Sequence, residues 1–533
     1  MVLITLLIPT SDRLLHHDFL SNSRMTTLQP RPPYTSDELS SLYPSHLELQ
    51  QVQIILRHGE RTPVSARFKN AGLPAYWPYC EAARNFKDVV LSADRNWDTL
   101  HWRRRLETFT GNGNDSPVLS QGPGREVDAI CQPGELTDRG RETTLALGER
   151  VRRLYVDQLG FLPAAMDNAS ANMVYLRSTP IQRALESTQQ AFTGLYPAQT
   201  RSADFQPPDI VTRAMQDEVL FPNEGGCKRF AQLATAFADR TAKVWNESPE
   251  MAHINKRIGK WMPKESSVVK IDSHPRLSGI MDTVNATLAH GTATKLPSEF
   301  YEREVVANID RICTEEWFIG YQESNEYRKL GIGALIGDLT QRMVEHVNGS
   351  AANTQPGEFK LSLAGCHDTT IASALSSLGA FDVASDKWPN YTSSIAFELF
   401  KRKPSASTST TQQPAGTTGT IWPSKEKTWW YALFSSPKPT TTARTPLADL
   451  PSSEQSKLDE YFVRLRYNDK PVTLPYCQQK RERHLDGDES FCTLAAFKEA
   501  ADSITPKDWK TECRSNLGEP AFKPIIERPP GVA

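Results

Sequence analysis

Apolar and polar positions along this chain change period several times, and the changes separate strand-bearing stretches from a long helical insert. Gln51-Val52-Gln53-Ile54-Ile55-Leu56 reads as a strand. Phe359 to Leu363 alternates apolar and polar residues with period two, then runs through Ala364-Gly365-Cys366 into a helical pattern at Ile371, Leu375 and Leu378. Gly379 supplies a natural stop. Met173 to Leu176 reads as a third short strand, after which Thr179 as N-cap, Pro180 at the first helical position and Gln182 predict a helix start. Thr137 through Tyr155 reads as an amphipathic helix, with Leu145, Leu147, Val151 and Leu154 near one face. From about Thr212 to Asn348 helical signals dominate, as at Phe230, Leu233 and Phe237, or Leu335, Leu339, Met343 and Val347. Ser394–Phe400, Thr428–Phe434 and Tyr461–Tyr467 then read as consecutive strands that complete the sheet.

This order predicts an α/β core made of residues 46–211 and 349–513, interrupted by a mainly helical cap at 212–348. Residues 1–45, polar and Pro-rich, are expected to form a disordered or surface-lying arm, and 514–533 a C-terminal tail. Three flexible loops are expected in the core. Residues 84–134 hold many charges with few regular patterns, while 403–427 and 435–446 are too rich in Ser, Thr and Pro to offset ordering entropy.

Composition adds bounds more than direction. The 533 residues, 38% hydrophobic and 23% charged, can bury a large core, and a net charge of −2 gives no global reason to expect nucleic acid as a partner. No stretch is long and apolar enough to read as transmembrane. Eight cysteines lack the paired C-x-x-C spacing of a metal site, so no metal is expected. Val2 to Ile8 is apolar without a basic flank, Asp12 and Asp18 argue against a standard mitochondrial presequence, and Met25 offers a second start. Six Asn-x-Ser/Thr sequons, where roughly three would arise by chance, suggest secretion only weakly. The compartment stays open, with cytoplasm or mitochondrion ahead of a secretory route.

The chemistry gathers at strand ends. The first strand delivers Arg57-His58-Gly59-Glu60-Arg61-Thr62-Pro63, which packs one imidazole and two guanidiniums into five positions. Arginine's planar fork matches phosphate oxygens in pairs, and a ring nitrogen held between two forks can attack the phosphorus whose oxygens they bind. That chemistry needs neither metal nor cofactor. An isolated Arg-His pair is usually a charged loop, but five residue types at fixed spacings arise by chance on the order of once in ten thousand. The other two strands answer it, one with His367-Asp368 and one with Arg183 in the first turns of its helix. Open α/β sheets bind ligands at that end of their strands, and helix N-termini there favour anions. Cys366, beside His367, invites a thiolate reading; a small apolar residue closing a buried strand is the better one.

Taken together, Arg57 to Pro63 in the form R-H-G-x-R-x-P, the His367-Asp368 pair and Arg183 between them resemble the histidine acid phosphatases, branch 2 of the histidine phosphatase superfamily. The resemblance implies a phosphoglycerate-mutase-like three-layer core and metal-independent hydrolysis of phosphomonoesters through a phosphohistidine. It implies His58 as nucleophile, Asp368 as proton donor, and Arg57, Arg61, Arg183 and His367 as phosphate ligands. Related phosphatases also carry a cysteine pair where Cys477 and Cys492 stand, which makes these two a disulfide candidate. Leu147-Gly-Glu-Arg-Val151, Tyr175-Leu-Arg-Ser-Thr179, Leu185-Glu-Ser-Thr188, Lys387-Trp-Pro389 and Tyr461-Phe-Val463 look like the lysophosphatidic acid phosphatase branch, over about Leu49 to Thr493. The implied partner is a small phosphomonoester or a lysophospholipid. A phytase or broad-specificity acid phosphatase is the alternative, followed by a mutase-like transferase and a non-catalytic phosphate-binding protein. In the helical segment Arg229, Arg240 and Lys243 would suit a highly charged substrate, and Trp245, Met251, Trp261 and Met262 an apolar one. Such residues are more often solvated or core. Oligomeric state is left open.

Overall fold

The computed structural model describes residues 32–110, 115–349, 359–404, 444–524 and 527–531. In chain order, α1 (Ser36–Leu42) and β1 (Leu47–Arg57) are followed by two hairpins, β2 (Phe86–Leu91) with β3 (Trp97–Trp102) and β4 (Glu107–Phe109) with β5 (Pro117–Leu119). Next come α2 (Asp138–Arg152), β6 (Val174–Ser178), α3 (Gln182–Leu195) and β7 (Ile210–Val211). A helical run follows: α4 (Lys228–Trp245), α5 (Pro249–Ile258), α6 (Leu277–Ala289), α7 (Arg303–Glu323), α8 (Asn325–Arg328) and α9 (Ala334–Asn348). The chain then returns through β8 (Leu361–Cys366), α10 (Asp368–Ser377), β9 (Ser394–Arg402), α11 (Ser452–Leu458), β10 (Tyr461–Tyr467), β11 (Lys470–Val472) and α12 (Pro475–Gln478). It ends with β12 (His484–Leu485), β13 (Asp488–Thr493), α13 (Leu494–Asp502) and α14 (Trp509–Glu512).

One mixed sheet runs in the order β12-β13-β10-β9-β1-β8-β6-β7, with β11 beside β10. β1, β8, β6 and β7 are mutually parallel, and β9 joins β1 antiparallel to start the other half. The period-two geometry of β1 divides its side chains between two cores. Val52, Ile54 and Leu56 pack with Leu147 and Val151 of α2 and Phe192 of α3, whereas Ile55 joins the cluster holding Leu339 of α9, Leu375 of α10 and Phe497 of α13. Gln53 is buried on the second face, and its amide donates to the Leu339 carbonyl at 2.9 Å. Helix, sheet and helix form three layers, and the second apolar cluster continues into the cap through Phe230, Ile309 and Phe318.

Several expectations need revising. The described end of the expected arm is ordered on the surface and pinned there: Thr35 and Glu38 form a capping box on α1, which has no buried residue, and buried Tyr34 bonds Gln158. Residues 84–134, expected as loop, carry both hairpins, and Cys80 and Cys131 are disulfide-bonded at their root. Thr179 does not cap α3; that helix starts at Gln182 after Ile181, with no side-chain cap, because Thr179 turns toward His367 instead. α9, placed in the cap by its helical pattern, packs on β1 and α13 as part of the three-layer core. The expected strand Thr428–Phe434 and nearly all of the loops 403–427 and 435–446 lie outside the described residues. Two further disulfides join Cys227 to Cys513 and Cys477 to Cys492.

Candidate active site

Parallel register brings three strand ends to one edge of the sheet. Arg57 of β1 stands opposite Cys366 of β8, and Gly365 of β8 opposite Ser178 of β6. Each strand therefore releases its next residues side by side: His58 to Arg61, His367-Asp368, and Thr179 to Arg183. The ladder continues one step beyond the strands, since the His58 amide donates to the Cys366 carbonyl and the Thr179 amide to Gly365, both at 3.1 Å. All six residues singled out from the sequence as catalytic or phosphate-binding meet here.

His58 is 1% exposed, and its Nδ1 lies 2.8 Å from its neighbour's carbonyl, Gly59 O. A carbonyl only accepts, so Nδ1 carries the proton and Nε2 keeps its lone pair. Burial, reinforced by Arg183, Arg57 and Arg61, pushes the imidazole pKa well below its ordinary value. The ring is neutral, with its lone pair on Nε2. His367, with ring centre 5.5 Å away, is also held neutral: burial and then Arg183 lower it to about 3. Its Nε2 meets Thr179 Oγ1 at 3.1 Å.

Arg57 donates from Nη1 to Pro389 O at 2.5 Å, pairs through Nη2 with Asp368 Oδ2 at 2.6 Å, and lies 4.2 Å above the Tyr391 ring. Arg61 donates from Nη1 to Asp282 Oδ1 at 2.5 Å and to Thr62 O at 3.1 Å. Arg183 makes no ion pair among the described residues, and burial, then Arg61, lower its pKa to about 10. The Nε atoms of all three are buried without a hydrogen-bond partner among the described residues. Each unmet buried donor costs on the order of 1–3 kcal/mol, so three charged ones around a neutral imidazole call for an anion.

Asp368 opens α10. Its Oδ2 also accepts from Trp388 Nε1 at 3.0 Å, and Oδ1 accepts the Thr369 amide at 2.9 Å. Burial pushes the carboxyl pKa up, but Arg57, Arg61 and the indole outweigh it and hold it at about 2. Beneath the site, the signature loop touches the first turn of α2. A Cβ on Gly59 would lie 2.3 Å from Gly140 O, and one on Gly140 2.2 Å from Glu60 O. Glu60 is fully buried and accepts from Thr143 Oγ1 at 2.6 Å, while the Gly59 amide donates to Ser187 Oγ at 3.1 Å.

Cys366 is no thiolate. It is buried, and burial drives its pKa to about 12. The cap candidates do not supply the site either. Arg229 is tied to Glu326 and Arg240 to Glu323, while Trp245, Met251 and Met262 fill the cap interior and Trp261 packs on Phe300. Asp282, Trp388, Tyr391, Gly140 and Ser187 escaped the sequence reading as site residues. Trp388 sits in the Lys387-Trp-Pro389 stretch already noted, but nothing in the helical pattern around Asp282 separates it from a solvated carboxylate.

The model of the histidine phosphatase superfamily (branch 2) matches residues 48–415. A probable acid phosphatase of Schizosaccharomyces pombe is 36% identical over 476 residues, covering 89% of this chain and 95% of the relative. Lysophosphatidic acid phosphatase type 6 of Homo sapiens is 27% identical over 362 residues, covering 67% and 75% respectively. Among solved structures, Hafnia alvei phytase in complex with tartrate superposes with a TM-score of 0.49 at 12% identity, over 88% of this chain and 99% of that one. The breadth of the family match and the extended likeness to the yeast relative agree with the three strand ends in assigning the chain to branch 2 of the histidine phosphatase superfamily, as an acid phosphatase that hydrolyses phosphomonoesters.

Proposed function

We propose that His58 accepts the phosphoryl group on Nε2, with Arg57, Arg61 and Arg183 binding the nonbridging oxygens and offsetting charge in a loose transition state. The observation that carries this reading is the His58 ring itself, neutral, with Nδ1 committed to Gly59 O, so that Nε2 keeps its lone pair, and with Arg183, Arg57 and Arg61 close enough to hold it neutral. His367 contributes a further contact to the phosphate. Asp368 protonates the departing alkoxide and afterwards activates the water that releases phosphate from the histidine.

The substrate we infer is an ester bearing a single phosphate, with lysophosphatidic acid the first to try. Similarity to lysophosphatidic acid phosphatase type 6 supports it. Against a polyphosphorylated inositol stands the fate of Arg229 and Arg240, both paired with glutamates. The test measures inorganic phosphate released without added metal, from acid to neutral pH, from lysophosphatidic acid, phytate and p-nitrophenyl phosphate. Preference for the lipid is expected, with His58→Ala retaining less than a few percent of turnover. Phytate as the preferred substrate would discard the single-phosphate reading, and an active His58→Ala enzyme the phosphohistidine.

A further inference from the structure

One contact from the cap to the phosphate grip is made by the carboxylate of Asp282. Asp282, on α6 and about 10% exposed, places Oδ1 2.5 Å from Arg61 Nη1 and Oδ2 3.0 Å from Arg67 Nη1. Oδ2 also accepts the Val64 amide at 3.0 Å. Arg67 lies flat along α6, where a Cβ on Gly279 would stand 3.0 Å from its Nε, and its Nη1 also meets Thr283 Oγ1 at 3.3 Å. One carboxylate thus spans two guanidiniums, one inside the signature and one four residues beyond it.

The charges around His58 fall into sets. Arg57 pairs with Asp368, Arg61 and Arg67 share Asp282, and Arg183 makes no ion pair among the described residues. Glu60 of the signature is buried close by as a further carboxyl group, and within this set Arg183 is the guanidinium left without an ion pair among the described residues for the reacting phosphate. A second phosphate on the same substrate that reached Arg67, four residues beyond the signature, would find it already paired with Asp282. Specificity against a competitor is often built this way, by an element that makes the wrong ligand unfavourable.

We propose that Asp282 is a specificity-determining residue that restricts the site to substrates carrying one phosphate, by neutralising Arg67 while holding Arg61 for the group that reacts. The proposal rests on the phosphomonoesterase reading of the same site. It is tested by kcat/KM for glycerol 1-phosphate and for fructose 1,6-bisphosphate in the wild type, Asp282→Asn, Asp282→Glu and the double variant Asp282→Asn/Arg67→Gln. Removing the charge is expected to raise the bisphosphate-to-monophosphate ratio at least tenfold. Glutamate keeps the ratio near that of the wild type, and losing Arg67 as well returns it there. A folded, active Asp282→Asn enzyme with an unchanged ratio overturns the proposal. Should that variant fail to fold, competitive inhibition of the wild type decides: inhibition constants for phosphate and pyrophosphate within about threefold are expected, and pyrophosphate binding more than about thirtyfold tighter overturns the idea. A wild type inert toward both esters would instead remove the reading beneath it.

Discussion

Asp368 faces opposed demands. In the proposed reaction it carries a proton to the leaving oxygen, yet Arg57, Arg61 and Trp388 outweigh its burial and hold it at about 2, so the free enzyme presents a carboxylate throughout the working range. A dianionic phosphate resolves this by competing for the same arginines. Once Arg57 turns its donors to the substrate, Asp368 loses its largest stabilising partner and gains a negative neighbour, and both changes raise its pKa. On the proposed mechanism the proton is therefore taken up with the substrate. Asp368→Asn is expected to lower turnover of alkyl phosphates by about a thousandfold, within the range seen for general acids. p-Nitrophenol needs little protonation to leave, so the same variant should release one equivalent in a burst and then stall at the phosphohistidine. Rapid-quench kinetics with both esters check this. A variant slowed equally in the burst phase with both esters would remove the proton-donor role.

Between elements, a tight constraint lies at the contact of the signature loop with α2, which leaves no space for a side chain on Gly140. Alanine is intrinsically better than glycine within a helix by about 1 kcal/mol. Here its Cβ would lie 2.2 Å from Glu60 O, a backbone atom that cannot swing aside, and overpacking of this kind costs about 1–3 kcal/mol or more. The clash wins. Gly140→Ala is expected to lower stability by about 2 kcal/mol in urea unfolding, and to reduce kcat because Glu60 stands between His58 and Arg61. A variant more stable than the wild type would refute the contact. This contact also marks where the sequence stops being readable. The strands ending at Arg57, Ser178 and Cys366 announce themselves by local pattern, and the residues they release follow in order. What meets those residues from elsewhere is set by packing over long separations: Gly140 under Glu60, Asp282 against Arg61, Trp388 on Asp368. No local period encodes such pairs. Thr179 shows the converse, since its capping signature is sound as sequence, yet the hydroxyl meets His367 and α3 starts without it. The hairpins at 84–134 were hidden for a different reason, because their strands are short, largely exposed on both faces and lack the one-sided apolar alternation that betrays a buried sheet.

At the scale of the whole molecule, three disulfides tie separate parts of the chain. Cys80 and Cys131 close the root of the hairpins, Cys227 and Cys513 fasten the start of the cap to the last helix across 286 residues, and Cys477 and Cys492 join α12 to β13. The resemblance to related phosphatases pointed only to the last. All six sulfurs belong to buried residues, and cross-links of this number accumulate in chains that fold in an oxidising compartment and are rare where glutathione keeps thiols reduced. The balance therefore moves from the cytoplasm or mitochondrion toward the secretory route. Two cysteines remain, Cys313 and Cys366, both buried and both with pKa values driven up by that burial. Neither presents a thiolate to solvent. A thiol count reads this arrangement directly. The folded protein should react with almost no equivalents of a disulfide reagent, the denatured but unreduced protein with two, and the denatured and reduced protein with eight. Eight equivalents on denaturation alone would show the thiols to be free. If the count is two, removing Cys227–Cys513 should cost the most stability of the three, since loop-closure entropy grows with the residues enclosed, from about 3 kcal/mol for a loop of some fifteen residues toward 5 kcal/mol for the longest. Thermal melts of the paired Cys→Ser variants give that order, and a chain-spanning link that proved the cheapest to lose would mean that the cap is held to the core by packing alone.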